Sequence, residues 1–178
     1  MFESDICTIE PITLKDSWRL CNFSIANAER LKRYFPKTLE LNLTPNLSEL
    51  FVNQKVKQWN AKTEFLFTLK EKENRTIIGL VYVKKIDKAL KLAELAYCID
   101  YNFEGKGITS KTVRYISDWA HRELGLNTLQ IIAHRTNIGS VTVATNSNYK
   151  WIKTLPKEHT PPNETPLDME LYELHYER

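Results

Sequence analysis

KLAELAYCIDYNFEGKGITSKTVRYISDWAHREL, Lys91 to Leu124, reads as a strand, a glycine turn and a helix in succession. From Lys91 to Asp100, Leu92, Glu94, Ala96 and Cys98 alternate with Leu95, Tyr97 and Ile99, the period of two that gives a strand two faces. Glu104-Gly105-Lys106-Gly107 interrupts the alternation. From Ser110, the positions Val113, Ile116, Trp119, Ala120 and Leu124 take helical spacing until Gly125 offers a left-handed stop. A strand entering a helix through two glycines leaves unpaired N–H groups at the positive end of the helix dipole, a combination that favours an anion such as a diphosphate. Glycine there keeps side chains from the amides, and Lys106 adds a mobile positive charge. The alternative is a plain strand-to-helix turn. A P-loop is excluded, because it would need Gly at Asp100 and Ser or Thr at Gly107, and GxGxxG fails at Ser110.

Upstream, Ser4 to Ile12 alternates loosely and predicts a strand, after which Thr13, Asp16 and Ser17 offer caps for a helix carrying Trp18, Cys21, Ile25 and Leu31. A polar connection punctuated by Pro36 and Pro45 leads to an amphipathic helix from about Ser48 to Trp59. Leu47, Phe51, Lys55 and Trp59 recur there every four residues, and Leu50 and Val56 widen the stripe. Glu64 to Lys70, with Phe65, Phe67 and Leu69 on one face, and Thr76 to Val83 form a hairpin about Glu73-Asn74-Arg75, and Lys84 to Leu90 is a second polar turn. Downstream come a strand at Thr128 to Ala133, a short helix at Ser140 to Ser147, a left-handed cap at Asn148 and a strand at Tyr149 to Ile152. A loop from Leu155 to Pro166, holding Pro156, Pro161, Pro162 and Pro166, precedes a last strand at Leu167 to His175. This order predicts one α+β domain over residues 1–178: a mixed, mostly antiparallel, twisted sheet of about seven strands with helices on both faces.

A chain of 178 residues suits one domain, and at that size roughly 70% of the unfolded surface is buried on folding. Hydrophobic residues at 42% and charged residues at 26% exclude disordered and collagen-like classes. The net charge of +3 is scattered, so no basic footprint for nucleic acid is expected. Apolar runs such as Thr76 to Val83 are far short of a membrane span, and the start MFESD has no basic segment followed by an apolar one, so a cytoplasmic protein with no membrane partner is expected. Cys7, Cys21 and Cys98 are odd in number and lack a CxxC, so they read as small buried hydrophobes, with no disulfide framework and no metal site expected.

Four segments, AELAYCID (Ala93 to Asp100), FEGKGIT (Phe103 to Thr109), HRELGLN ending at Asn127, and Asn137-x-x-Ser140 with Asn148-Tyr149, together resemble the GNAT acyl-CoA-dependent N-acetyltransferases. The similarity is greatest to the RimJ/RimL-type branch, which acetylates protein N-termini, and it runs continuously over about residues 76–152. The resemblance implies a GNAT-like fold in which 76–152 is the acetyl-CoA-binding core and 1–60 the acceptor side, with acetyl-CoA as cosubstrate and homodimers as the usual assembly. It implies a pantetheine arm and diphosphate held at Tyr97, Cys98, Ile99, Glu104, Gly105, Lys106, Gly107, Ile108, Thr109, Asn137 and Ser140. Where the family's loop carries Gln or Arg first and Gly or Ala last, this chain has Glu104 and Thr109; the Glu104 side chain is expected to point away while its amide still donates. Asn148 replaces the family's glycine before the aromatic, as its tolerance of the left-handed region allows.

Acetyl transfer to an amine needs a neutral nitrogen, a polarised carbonyl and a proton for the departing thiolate. Because an alkyl amine is mainly protonated at pH 7, a carboxylate is the natural base. Glu94 precedes the glycine turn and matches the family's AE-φ-φ-φ pattern for the base; a strand carboxylate paired with a nearby lysine is the alternative. The tyrosine that serves as acid in much of the superfamily falls at Ala144, and the RimL-like branch implies Ser140 instead, which would alternatively cap a helix. Asn137 would bind the pantetheine arm or position Ser140, or be an ordinary loop residue. The oxyanion is expected to meet a backbone N–H where the strands at Tyr97–Ile99 and Tyr149–Trp151 splay apart. His121 and His134 read as surface residues, and Trp18, Trp59 and Tyr34 are candidates for an acceptor groove or for core. The acceptor is a protein N-terminus or a small amine such as a polyamine or antibiotic, and a CoA-binding module with little catalysis is the reading outside the enzyme class.

Overall fold

The computed structural model describes residues 2–3 and 6–177. Its strands are β1 (Phe2–Glu3), β2 (Cys7–Pro11), β3 (Phe65–Glu71), β4 (Ile77–Asp87), β5 (Leu92–Ile99), β6 (Thr128–Ala133), β7 (Lys150–His159) and β8 (Leu167–His175). The helices are α1 (Ser17–Ala26), α2 (Ala28–Tyr34), α3 (Pro36–Glu40), α4 (Pro45–Asn60), α5 (Ile108–Leu124) and α6 (Ile138–Asn146). One sheet takes the order β1-β2-β3-β4-β5-β6-β8-β7, and the two-residue β1 accounts for the strand beyond the expected seven. Every pairing is antiparallel except β5 with β6. A parallel pair needs a long crossover, and α5 supplies it.

Strand alternation sends the apolar side chains to two cores. Phe65, Phe67, Val81 and Leu95 pack under Val113, Ile116 and Ala120 of α5. Leu66, Leu80 and Tyr82, with Ala96 and Cys98 at the margin, pack against Leu20, Phe23, Leu31, Phe51 and Val52 of α1, α2 and α4. Helices therefore cover both faces, as the sequence predicts.

Several boundaries differ for identifiable reasons. Ser4 and Asp5, the start of the first expected strand, lie outside the described residues. The helix expected to run from Trp18 to Leu31 breaks at Asn27, whose Nδ2 donates to the Phe23 carbonyl at 3.0 Å and the Asp100 carboxylate at 2.9 Å. The proline-punctuated connection contains α3, which starts on Pro36, and α4 begins on Pro45; proline is well suited to a first helical position. Leu50 is 69% exposed and does not widen the buried stripe of α4. The turn expected from Lys84 begins later, because β4 runs on to Asp87 through a register shift. β7 likewise runs on through Leu155 to His159, taking the first five residues of the expected proline loop into an edge strand, where Pro156 is tolerated. Gly125 and Asn148 take left-handed φ values of 68° and 65°, as expected for helix ends.

Candidate active site

β5 and β6 pair only from Leu92↔Thr128 to Leu95↔Ile131. β6 continues against β8 as far as Ala133↔Glu170, so beyond Leu95 the strand β5 has no ladder partner on that side among the described residues. A cavity of about 910 Å³ opens in this parting. It is lined on the α5–α6 side by Gly105, Gly107, Ile108, Asn137 and Ser140, and on the α1–α3 side by Asn27, Tyr34, Thr38 and Glu94, with Glu158 and His159 from the end of β7. The parting thus separates β5 from β6. The expectation that the segment Tyr149–Trp151 forms its other lip is corrected: Tyr149 is buried and Trp151 is paired with Tyr172 of β8.

A short turn at Tyr101–Phe103, capped by the Asp100 carboxylate accepting from the Asn102 N–H at 2.9 Å, carries β5 into the glycine segment. Gly105 and Gly107 both have φ of 70°. A Cβ at either would meet nothing within 4 Å, so the left-handed backbone, rather than crowding, demands glycine, and the space above stays open. Gly107 caps α5 without any side-chain hydrogen bond, which leaves the N–H groups of Ile108, Thr109 and Ser110 without intrahelical acceptors. An anion fits such a cradle. The Glu104 carboxylate is paired with the Arg30 guanidinium of α2, which offsets its charge beside the cradle. Its amide, expected to donate to a ligand, instead donates to the Tyr101 carbonyl at 3.4 Å. Lys106 is exposed, with its ammonium 4.9 Å from the centre of the Phe103 ring, and does not line the cavity.

On the other side of the parting, Glu94 is 7% exposed and its two oxygens are both engaged, Oε1 by Lys84 Nζ at 3.0 Å and Oε2 by Lys85 Nζ at 2.8 Å. Burial pushes the carboxyl up, but the two ammonium groups outweigh it and hold it below the usual carboxylate range. It is ionised and a weak base.

Tyr97 faces the opposite way from Glu94, as alternation requires, and its hydroxyl donates to the Ser140 carbonyl at 2.9 Å. Ser140 Oγ in turn donates to the Tyr97 hydroxyl at 3.2 Å. Burial pushes the Tyr97 phenol well above its ordinary value, so it stays a protonated donor. Ser140 is not the cap of α6. Asn137 is, its Oδ1 accepting from the Ser140 N–H at 3.2 Å, so Asn137 fixes the turn on which Ser140 stands. Ala144, where a tyrosine would be the superfamily's acid, is buried. Cys98 and Ile99 line the cavity, and burial pushes the Cys98 thiol up to about 12, leaving it unreactive. Thr109 lines it too, at the helix start.

Of the three candidate groove aromatics, only Tyr34 reaches the cavity. Trp18 is 56% exposed, and Trp59 packs edge-on at 4.9 Å against both Phe65 and Phe67 in the core. His134 borders the cavity, whereas His121 stacks on Tyr176 at 4.2 Å. Lys84, Lys85 and Arg30 escape a reading by motif. The lysines sit in a segment that reads as a polar turn, and only the β4–β5 register, which sets Lys84 opposite Glu94, brings them to it. Among the described residues no cluster of acidic, histidine and cysteine side chains could hold a metal, and no helix is long and apolar enough to cross a membrane.

Comparison with known proteins gives the same architecture. The chain is 27% identical over 128 residues to YdaF of Bacillus subtilis (strain 168), provisionally named a ribosomal N-acetyltransferase, covering 71% of this chain and 68% of that protein. It superposes on ribosomal-protein-S5-alanine acetyltransferase from Vibrio fischeri with a TM-score of 0.92 at 22% identity, covering 98% of this chain and 95% of the other. The microcin C7 self-immunity acetyltransferase MccE, solved with acetyl-CoA and AMP, matches with a TM-score of 0.85 at 22% identity, covering 97% and 94%. At these identities the two solved structures speak for the fold. A family model, the acetyltransferase (GNAT) domain, matches residues 7–150, most of the chain, and on that ground this protein belongs to the GNAT acetyltransferases.

Proposed function

We propose that the chain transfers the acetyl group of acetyl-CoA to a protein N-terminal α-amine by direct attack in a ternary complex. The observation that carries this reading is the parting of β5 from β6, which joins an anion cradle on one side of the sheet to a buried carboxylate on the other within one cavity. The amides of Ile108, Thr109 and Ser110 and the left-handed glycines 105 and 107 suit the diphosphate. Bound there, acetyl-CoA supplies an activated thioester.

Glu94 accepts the proton of the attacking nitrogen, directly or through water. Its weakness as a base favours one class of amine. An α-amino group loses its proton near pH 8 and a lysine ammonium near 10.4, so the α-amine demands roughly two to three powers of ten less from the base. Ser140, held by Asn137 and Tyr97, donates to the leaving sulfur. The N–H groups of Tyr97 and Ile99, which the β4–β5 register turns away from β4 and toward the parting, are the candidates for meeting the developing oxyanion. The Arg30–Glu104 pair offsets the carboxylate at the first position of the glycine loop, so its charge does not stand against the diphosphate.

Thiol release with unblocked peptides beginning with alanine, set against a panel of polyamines and aminoglycosides, tests the assignment. Preference for the peptides by tenfold or more in kcat/KM is expected, and turnover confined to the small amines overturns the acceptor. Glu94→Gln is expected to abolish most turnover while leaving acetyl-CoA affinity within about twofold; full turnover rejects the base.

A further inference from the structure

Neighbouring residues of a strand point to opposite faces, so Lys84 and Lys85 should not meet the same carboxylate. They do. Lys84 lies directly opposite Glu94 in the ladder, and the register then shifts between Lys84 and Asp87. Lys85 takes a left-handed φ of 51°, a conformation that non-glycine residues adopt at a cost. The irregularity turns its ammonium back onto Glu94 Oε2 at 2.8 Å, with Lys84 on Oε1 at 3.0 Å. All three residues line the cavity.

The two lysines are not equivalent. The Lys84 side chain is 32% exposed, that of Lys85 62%, and that of Glu94 only 9%. Lys84 is the standing partner of a buried charge, while Lys85 can withdraw into water at little cost. An acceptor ammonium must find an oxygen of Glu94, and both are occupied by ammonium groups.

We propose that Lys85 holds the place of the acceptor ammonium on Glu94 Oε2, and that the acceptor enters by displacing it, making Lys85 a positioning residue that gates the acceptor site. This rests on the assignment of Glu94 as base. Lys84 keeps Glu94 ionised while the acceptor replaces Lys85, and Glu158 of β7, which lines the same cavity and attracts Lys85 electrostatically, receives the displaced ammonium. Arg30, Lys37, Glu104, Glu158, His134 and His159 also line the cavity, but the cations that act on Glu94 are Lys84 and Lys85, so removal of one weakens the hold on the ionised carboxylate. The Glu94 carboxyl then titrates at higher pH, and the acid limb of kcat/KM moves up with it.

The test compares Lys85→Met, which keeps the apolar stem, with Lys85→Arg, using the best acceptor from the thiol-release panel and, independently of any acceptor, a carbon-13 NMR titration of Glu94. Lys85→Met is expected to lower the acceptor KM threefold or more, raise the Glu94 midpoint by at least half a pH unit and leave the thermal melt in place, with Lys85→Arg close to the parent. An unchanged KM, or a midpoint that stays where it was, overturns the proposal. Undiminished turnover in Glu94→Gln instead rejects the base beneath it, so the two failures are told apart.

Discussion

The Tyr97 hydroxyl donates to the backbone carbonyl of Ser140 at 2.9 Å, tying β5 to the first turn of α6 across the α5–α6 side of the parting. The same phenol accepts from Ser140 Oγ at 3.2 Å, so one tyrosine fixes both the backbone and the hydroxyl of the proposed donor to sulfur. Tyr97→Phe removes both bonds, leaving Ser140 Oγ without its acceptor while the Ser140 carbonyl keeps its helical partner, and should cost about 1 kcal/mol of stability. Ser140→Ala should leave stability nearly unchanged but lower kcat about tenfold or more, with acetyl-CoA KM within threefold. Chemical denaturation and steady-state kinetics on the pair check this, and a Ser140→Ala enzyme with parental kcat removes the serine from the mechanism.

Arg30 neutralises Glu104 beside the anion cradle, across two exposed side chains. Arg30→Ala leaves that carboxylate uncompensated beside the diphosphate, and calorimetry should show acetyl-CoA binding about threefold to tenfold weaker. Arg30→Ala combined with Glu104→Gln should restore the affinity, because what harms binding is the orphaned charge.

Glycine substitutions should separate conformation from packing. At Gly107 a Cβ meets nothing within 4 Å but φ is 70°, so Gly107→Ala should cost about 1 kcal/mol through the backbone alone. At Gly79, on the central strand β4, a Cβ would sit 3.0 Å from the Cys98 carbonyl oxygen and 3.3 Å from the Leu69 side chain. Gly79→Ala must push β4 from β5 and should cost about 1–3 kcal/mol, in the range of an overpacked core. Urea denaturation of both variants checks the order.

Far from the cavity, the Glu10 carboxyl is held at about 2, below its ordinary 4.5. Burial opposes this, and hydrogen bonds from Arg75, Thr8 and Lys70 prevail. A depressed carboxylate stabilises the fold fully above pH 4.5 and loses that contribution as pH falls through about 2, an amount on the order of 3 kcal/mol at most. Thermal melts from pH 5 down to 2 should show a falling midpoint, and Glu10→Gln should flatten that fall.

How much of this is legible in the sequence follows from which interactions are local. Alternation along Leu92–Ile99 separates Glu94 from Tyr97 correctly, and Gly105, Gly107 and Gly125 mark the ends of α5 because their roles depend on their own backbone angles. The Asn137 cap is also local, yet the sequence offers Ser140 equally well, and only the helix start at Ile138 decides. What the sequence does not display is register. The lip of the parting depends on β6 leaving β5 for β8, and Lys84, Lys85 and Arg30 reach Glu94 and Glu104 across pairings that no short motif encodes. The proline-rich stretch after Leu155 misleads for a related reason, since an edge strand needs hydrogen bonds on one side only.

Amide hydrogen exchange resolved by residue, with and without saturating acetyl-CoA, tests the central claim most directly. Ala96 and Cys98, paired with β4, are expected to stay as they were, while new protection is expected at Ile108, Thr109 and Ser110 and at Tyr97 and Ile99, whose N–H groups face the parting. Binding that leaves these amides exchanging as before, or that protects a different surface, would contradict it.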